Sequence, residues 1–438
     1  MGNKIIVGRN EEDKKLFGDA GTVYLGKLFV SMGQTTALSN EIWMDVARTH
    51  IVLICGRRGS GKSYSSSVIA EEMSRLPEEI KKNTTVLFFD TMGIFWTMKY
   101  PNTRQEDLLV AWGLPAEGLP INIFTPMGYY QQQKEKGIPV DFPFALQVSE
   151  LHAGDWCNVF DITLTNPLGI AIERALDIAQ KQKKEYGIED ILEAVRKDTK
   201  STKEVKDGVE NRFLAASKWG LFAKQGTRIE QLLQPGSVNV LDVSTYTNTS
   251  GSWSIKNLVI GLISRKLLEE RMIARKVEEI QDLQKHSSYF FEEEVKETPM
   301  VWIVIDEVHQ CLPRIGSTPA TDALVQLIRE GRQPGISLIL VTQQPGEIHR
   351  DVLTQTDIVL SHRLTAKRDI EALNSMMQSY LFTDLQEYLN NLPRDKGAAI
   401  LLDDNSERIF PMRVHPKRSW HGGEAPTAIK VKRKILEF

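Results

Sequence analysis

The chain has 438 residues, of which 41% are hydrophobic and 25% charged, and its formal net charge is −3. These ordinary globular values exclude a disordered chain and a surface that attracts nucleic acid over its whole area. Three cysteines lie far apart, which excludes a disulfide framework and leads us to expect a cytoplasmic protein. Because the apolar runs are shorter than the roughly 20 residues that span a bilayer, we expect no membrane partner.

Residues 1–40 contain two short strand-like pieces, Lys4–Val7 and Thr22–Leu25, with glycine-rich turns between them. They predict a short N-terminal β element. From residue 41 onward, apolar runs alternate with helical periodicity, which predicts an α/β fold with a mostly parallel sheet flanked by helices. We expect this core to comprise residues 41–127 and 236–415. The candidate buried strands are 51–55, 86–90, 238–243, 301–306, 336–341, 357–361 and 398–402.

Three stretches depart from this alternation. Residues 128–235 are mostly helical in periodicity, most clearly at 170–186 and 188–197, and predict a helical insertion. A charged stretch at 263–297 predicts a solvated helix followed by an acidic surface loop. The basic tail, 416–438, predicts a C-terminal arm without a core of its own.

A complete G-x-x-x-x-G-K-[ST] phosphate-binding loop, also called a P-loop or Walker A motif, spans Gly56–Ser63 between an apolar run and a helical stretch. Its glycines let the backbone amides wrap an anion at a helix N-terminus. Lys62 is expected to reach the β- and γ-phosphates of a nucleoside triphosphate, and Ser63 to ligate Mg²⁺. For Arg57 and Arg58, phosphate binding and contact with a neighbouring subunit remain open. The expected nucleotide-binding residues are Gly56, Arg58, Gly59, Ser60, Gly61, Lys62, Ser63 and Tyr64.

An apolar run, Val301–Ile305, ends in Asp306 and Glu307, which is the pattern of a Walker B strand. Asp306 is expected to hold the Mg²⁺ shell opposite Ser63. Glu307 is expected to orient and deprotonate the attacking water. Gln343, at the end of a later apolar run, is our candidate for sensing the γ-phosphate and positioning that water.

Two arginines, Arg329 and Arg332, lie three residues apart at the end of a predicted helix, which Gly331 and Pro334 terminate. An arginine that reaches a neighbouring subunit's γ-phosphate neutralises charge in the transition state. We expect Arg332 to be such an arginine finger, with Arg329 as the second candidate. The alternative is an arginine that interacts with the helix dipole.

The loop 246–256 follows the carboxyl end of a predicted core strand. If it lines a channel for DNA, Lys256 is expected to contact phosphate and Trp253 to pack or stack. The alternative is a surface loop anchored by its tryptophan.

Together, these motifs, in this order and at this spacing, resemble the HerA-like ATPases of the HerA/FtsK superfamily. The resemblance covers about residues 20–415. It includes 21–27, similar to the end of that family's N-terminal β-barrel, and 233–242, similar to a strand before the Walker B motif. It implies a RecA-like fold and a hexameric ring with ATP between subunits. It also implies double-stranded DNA in the centre, and therefore an ATP-driven DNA translocase.

Two departures from that family are visible. The family's Asp-x-His-Gly-Glu sequence after the second core strand retains only Asp90 and Gly93, and the N-terminal barrel is truncated. Compact relatives of this kind are typical of antiviral systems, paired with a nuclease or a sirtuin-like effector. A second hypothesis is an assembly scaffold that licenses such an effector without pulling DNA. A kinase or GTPase is disfavoured, because no Asn-Lys-x-Asp segment is present and Glu307 favours transfer to water.

Overall fold

The computed structural model describes residues 4–32, 35–248, 251–287, 298–376 and 385–423. Its strands are β1 (Ile5–Val7), β2 (Thr22–Met32), β3 (Thr35–Asp45), β4 (Ile51–Cys55), β5 (Thr84–Asp90), β6 (Ile121–Pro126), β7 (Phe142–Phe144), β8 (Leu146–Gln147), β9 (Phe222–Ala223), β10 (Val238–Asp242), β11 (Met300–Ile305), β12 (Ile336–Thr342), β13 (Ile358–His362), β14 (Ala398–Asp403) and β15 (Arg408–Val414).

The helices flank these strands. They are α1 (Glu11–Phe17), α2 (Lys62–Met73), α3 (Glu78–Lys81), α4 (Glu106–Trp112), α5 (Met127–Glu135), α6 (Ala153–Val159), α7 (Pro167–Gln182), α8 (Ile188–Lys197), α9 (Lys203–Ser217), α10 (Ile229–Leu232), α11 (Ser252–Ser287), α12 (Thr321–Glu330), α13 (Arg350–Gln355), α14 (Lys367–Met376) and α15 (Leu385–Asn391). None of the helices in the described ranges combines the length and apolar composition that a membrane crossing requires.

In the described part of the chain, thirteen strands form one sheet in the order β1-β3-β2-β15-β14-β13-β4-β12-β11-β5-β10-β6-β7. The strands from β13 to β7 in this order pair in parallel, and antiparallel pairs connect β13 through β14 and β15 to β2 and β3. The predicted α/β class with a mostly parallel sheet is therefore confirmed.

Both faces of the central strands are covered, as their continuous apolar sequences predict. In β4, Leu53 and Cys55 pack into one hydrophobic core, while Val52 and Ile54 pack into another on the opposite face. Successive side chains of a strand point to opposite faces, so a strand buried on both sides needs apolar residues throughout. Helix α2 packs on the Val52 face, and helices α7, α8 and α11 pack on the other.

The N-terminal β element joins the core sheet. Its two predicted strand-like pieces are β1 and the start of β2, and β2 pairs with β15. Helix α1 lies between them and was not predicted. Asn10 caps it, because its side-chain oxygen accepts a hydrogen bond from the amide of Asp13 at 2.7 Å.

A buried histidine links this element to the core. His50 Nε2 lies 3.1 Å from Asp45 Oδ2 at the end of β3, and its Nδ1 lies 2.6 Å from Asp357 Oδ2 before β13. Arg9 Nε donates a hydrogen bond of 3.0 Å to the other oxygen of Asp45. The two carboxylates outweigh the effect of burial and raise the pKa of His50 to about 9. At neutral pH, His50 is therefore a buried cation between two anions.

We expect His50→Asn to lower the Tm strongly at pH 6 and much less at pH 10. The folded pKa of about 9 lies above the ordinary value of 6.5, so the stabilisation is complete below pH 6.5 and is lost as the pH rises through 9. The shift corresponds to at most roughly 3 kcal/mol. Thermal denaturation across this range checks the prediction. The control is His152→Asn at an exposed position, which should lower the Tm little at pH 6.

Three predictions about the flanking segments have different outcomes. The predicted helices 170–186 and 188–197 correspond to α7 and α8. The predicted solvated helix is the second half of α11, whose first half is buried through Leu267 and Leu268. The acidic run that follows it lies outside the described residues. The domain boundaries at 128–235 remain a prediction.

The start of the predicted C-terminal arm, residues 416–423, packs against helix α2. Lys417 is buried, and its pKa is lowered to about 8 by burial. The amides of Arg418 and Ser419 donate hydrogen bonds of 2.9 and 3.1 Å to the Glu71 carboxylate in α2. Because α2 follows the phosphate-binding loop, this segment supports the helix that carries the site. Residues 424–438 lie outside the described part.

Candidate nucleotide-binding and hydrolysis site

The phosphate-binding loop connects β4 to α2, as the sequence predicts. Gly56, Gly59 and Gly61 have φ values of 152°, 75° and 109°, which side chains with a Cβ rarely adopt. A Cβ on Gly56 would lie 2.7 Å from the Cβ of His362 and 2.6 Å from Ser60 Oγ. The chain therefore needs glycine at position 56 for space as well as for conformation.

Several polar groups of the loop point inward. Lys62 Nζ donates a hydrogen bond of 3.3 Å to the Arg57 carbonyl oxygen. Burial lowers the pKa of this ammonium group. Ser60 Oγ is buried and has no hydrogen-bond partner among the described residues. A buried hydroxyl without a partner and a desolvated lysine at a helix N-terminus fit an anion such as a triphosphate.

The Walker B strand lies close to the loop. β12 separates β4 from β11, and Ser63 Oγ donates a hydrogen bond of 2.7 Å to Asp306 Oδ2. Burial raises the pKa of Asp306 to about 6. A hydroxyl and a carboxylate are oxygen ligands of the kind that Mg²⁺ prefers, so these two residues fit the ion. The sequence prediction paired the same two side chains.

Glu307 directly follows Asp306 and has a φ of 53°, a left-handed conformation that is uncommon for residues other than glycine. Gln343 Nε2 donates a hydrogen bond of 2.5 Å to Glu307 Oε1. The other oxygen, Oε2, is buried without a hydrogen bond among the described residues. Burial raises the pKa of Glu307, while the Gln343 hydrogen bond and the charges of Lys62 and Arg58 lower it. The structure thus brings the proposed base and the proposed sensor together.

Two histidines that the sequence analysis missed support this arrangement. His309 Nδ1 lies 3.1 Å from Thr342 Oγ1 and 3.5 Å from Glu307 Oε2. His362, at the end of β13, lies behind the phosphate-binding loop, and its Nε2 is 2.9 Å from Ser65 Oγ in α2. Burial lowers the pKa of His362 to about 4, so this side chain is neutral. The position of His309 two residues after Glu307 was a usable signal, whereas nothing local marked His362.

Tyr64 lies in the first turn of α2, but its hydroxyl contacts protein groups. It donates a hydrogen bond of 2.9 Å to Gln105 Oε1 and accepts one of 2.5 Å from the amide of Lys417. The ring lies edge-on to His421 with centroids 5.3 Å apart. The tyrosine side chain therefore fastens the C-terminal segment beside the site.

Arg329 and Arg332 do not lie at this site within one subunit. Arg332 precedes β12, whose opposite end carries Thr342 beside Cys55 of β4. A strand of this length separates the two edges by roughly 20 Å. Arg329 pairs through Nε with Asp351 Oδ2 at 2.6 Å, and Arg332 is exposed. Their expected role in a neighbouring site remains a prediction.

The prediction that Lys256 contacts DNA is wrong. Lys256 is buried, and its Nζ donates hydrogen bonds of 2.9 Å to the Thr91 carbonyl oxygen and 3.1 Å to Thr247 Oγ1. Its ammonium group lies 5.0 Å from the centre of the Trp253 ring.

Asp90, at the end of β5 beside β11, accepts hydrogen bonds from the amides of Gly93 and Phe95. It therefore shapes the backbone at this edge of the sheet.

A parallel sheet with a phosphate-binding loop, beside a Walker B strand that is followed by Asp306 and Glu307, defines a P-loop ATPase. Residues 24–267, more than half of the chain, match the family described as Helicase HerA, central domain. The chain belongs to this HerA family of the HerA/FtsK superfamily.

Individual relatives extend this match. A probable DNA double-strand break repair helicase HerA from Methanocaldococcus jannaschii is 22% identical over 84% of this chain and 74% of its own length. The DNA double-strand break repair helicase HerA from Sulfurisphaera tokodaii is 24% identical over 100% of this chain and 77% of its own. The structure of VirB4 from Thermoanaerobacter pseudethanolicus shares the fold, with a TM-score of 0.55, 12% identity and coverage of 90% and 96% of the two chains.

Proposed function

We propose that this ATPase is a DNA translocase that assembles as a hexameric ring in the cytoplasm. The observation that carries the proposal is the division of its catalytic groups. Lys62, Asp306 and Glu307 meet at the carboxyl edge of the sheet, whereas Arg332 lies exposed at the opposite edge. Head-to-tail contacts between identical subunits place opposite surfaces against each other, and they form a ring when the rotation between neighbours closes. The names of the two HerA relatives support DNA as the substrate.

In the proposed reaction, the oxygen of a water molecule forms a bond to the γ-phosphorus of ATP, and the bond from that phosphorus to the bridging oxygen breaks. Glu307 accepts the proton that the water loses, and ADP and inorganic phosphate leave. Gln343 holds Glu307 in place through its hydrogen bond. Lys62 neutralises phosphate charge.

Ser63 and Asp306 would hold Mg²⁺ between the loop and the Walker B strand. When bound, Mg²⁺ supplies charge neutralisation at the β- and γ-phosphate oxygens. Arg332 of one subunit would add charge at the γ-phosphate in its neighbour's site. Arg329 is the second candidate for that role.

The central test is the ATPase rate of the purified protein with and without duplex DNA, together with its native mass in the presence of ATP. We expect a sixfold particle and a strong stimulation by DNA. Contacts to the phosphate backbone predict that the stimulation falls steeply with salt and depends little on sequence. An ATPase rate that is the same with and without DNA at every salt concentration would exclude translocation as the main activity.

A separately encoded effector, such as a nuclease or a sirtuin-like protein of an antiviral system, is the partner we propose for the motor. The observation that favours a partner is that this helical segment exposes three large apolar side chains, those of Leu164, Ile170 and Leu214. If a partner protein alone stimulates ATP hydrolysis, the protein is instead an assembly scaffold that licenses its effector.

A further inference from the structure

Arg58 lies at the tip of the phosphate-binding loop. The amide of Ser60 donates a hydrogen bond of 3.2 Å to the Arg57 carbonyl oxygen, so residues 57–60 form a turn with Arg58 and Gly59 at its centre. Gly59 has a φ of 75°, which the third residue of a type II turn requires. The side chain of Arg58 therefore leaves the loop at its apex, and this residue is exposed.

The base of this turn is anchored, and the guanidinium is not. The amide of Arg57 donates a hydrogen bond of 3.0 Å to the Arg363 carbonyl oxygen, and Lys62 Nζ donates to the carbonyl oxygen of Arg57. Within the described ranges, the Arg58 guanidinium has no hydrogen bond or ion pair. All of its donors are therefore available to a ligand at the loop.

Arg58 also lies in the same short loop as Lys62, between Gly56 and the N-terminus of α2. The charges of both cations lower the pKa of the proposed base, Glu307. Arg329 and Arg332 lie at the opposite edge of the sheet. The position in the loop and the unpaired guanidinium favour phosphate binding over a subunit contact for Arg58.

We propose that Arg58 acts in cis on the γ-phosphate of the ATP that its own subunit binds. Its planar guanidinium would hold two γ-phosphate oxygens and stabilise their charge as the bond to the bridging oxygen breaks. Arg58 would then add a positive charge at the γ-phosphate, in addition to Lys62 of the same subunit and the proposed Arg332 of the neighbouring subunit. The inference rests on ATP hydrolysis at this site and is independent of DNA translocation.

The first test measures kcat, KM and ADP affinity for Arg58→Ala without DNA. We expect kcat to fall on the order of 10²-fold, as for the loss of one preorganised donor, while ADP, which lacks the γ-phosphate, binds as before. Arg58→Lys should recover part of the loss. Arg408→Ala removes an exposed arginine of β15, outside the loop, and is the matched control, with kcat retained. Equal losses in both variants, or a loss confined to ADP and ATP affinity, would overturn the inference.

The second test distinguishes cis from trans by mixing subunits. Arg58→Ala subunits bind ATP, and Lys62→Ala subunits retain Arg58 but have lost the phosphate lysine. A cis residue predicts that the mixture only averages the two rates, whereas recovery above that average would refute the cis role. Arg332→Ala mixed with Lys62→Ala is the comparison, because a trans finger predicts recovery there. If the ATPase rate of that mixture does not recover, Arg332 is not a trans arginine finger and the proposed ring is weakened. The kcat test of Arg58 does not depend on this result.

Discussion

The Glu307→Gln variant should bind ATP normally and lose turnover. The amide keeps the size of the carboxylate and can still accept the Gln343 hydrogen bond, but it cannot take a proton from water. Loss of a general base predicts that kcat falls roughly 10³-fold. Single-turnover hydrolysis and equilibrium binding of ATP, measured on the same preparation, separate the two effects.

A second readout for this variant is stability. Because burial raises the pKa of Glu307, the ionised side chain destabilises the folded state. The neutral glutamine should therefore raise the Tm. Glu330→Gln is the matched control, since this carboxylate is exposed at the end of α12 and should change neither rate nor Tm. Retained turnover in Glu307→Gln would show that another residue is the base.

Lys62→Ala should abolish nucleotide binding while the fold remains. The lysine is nearly fully buried at the N-terminus of α2, so its ammonium interacts with phosphate in a site that excludes much of the solvent. Loss of two charge-assisted contacts predicts an affinity at least 10²-fold lower. The rise in Tm that ATP produces in the unmodified protein should disappear, because that rise follows from binding to the folded state.

The control for this variant is Lys197→Ala. Lys197 forms an exposed ion pair of 2.6 Å with Glu193 in α8, and such pairs contribute little to stability. We expect its ATP-induced rise in Tm to match that of the unmodified protein. Undiminished ATP affinity in Lys62→Ala would defeat the assignment of the phosphate-binding loop.

Predictions from contiguous motifs agree best with the structure. The amide of Ser60 and the ammonium of Lys62 both donate hydrogen bonds to the Arg57 carbonyl oxygen, so part of the loop's conformation follows from contacts within the motif. Glu307 and Gln343 could be placed at one edge of the sheet because parallel strands end together there. Helix α8 was predicted with its observed bounds, because its apolar residues recur with helical spacing.

Predictions that depended on where a side chain points were weaker. Lys256 follows a strand and a polar loop, which is also the pattern of a DNA-contacting loop, yet its ammonium is buried against the Thr91 carbonyl oxygen. Lys417 belongs to a basic tail in the sequence but is buried beside Glu71. A buried lysine needs hydrogen-bond acceptors, and here these acceptors come from segments distant in the sequence. Local charge and hydropathy therefore could not predict that these lysines are buried.

The sequence by itself determined the class of site, because a phosphate-binding loop and a Walker B strand carry their chemistry in short, contiguous segments. Tertiary structure alone decided which groups meet around them. It placed His362 behind Gly56 and His309 beside Thr342. The physical reason is that these contacts join strands far apart in the chain, and their geometry follows from the order and register of the sheet.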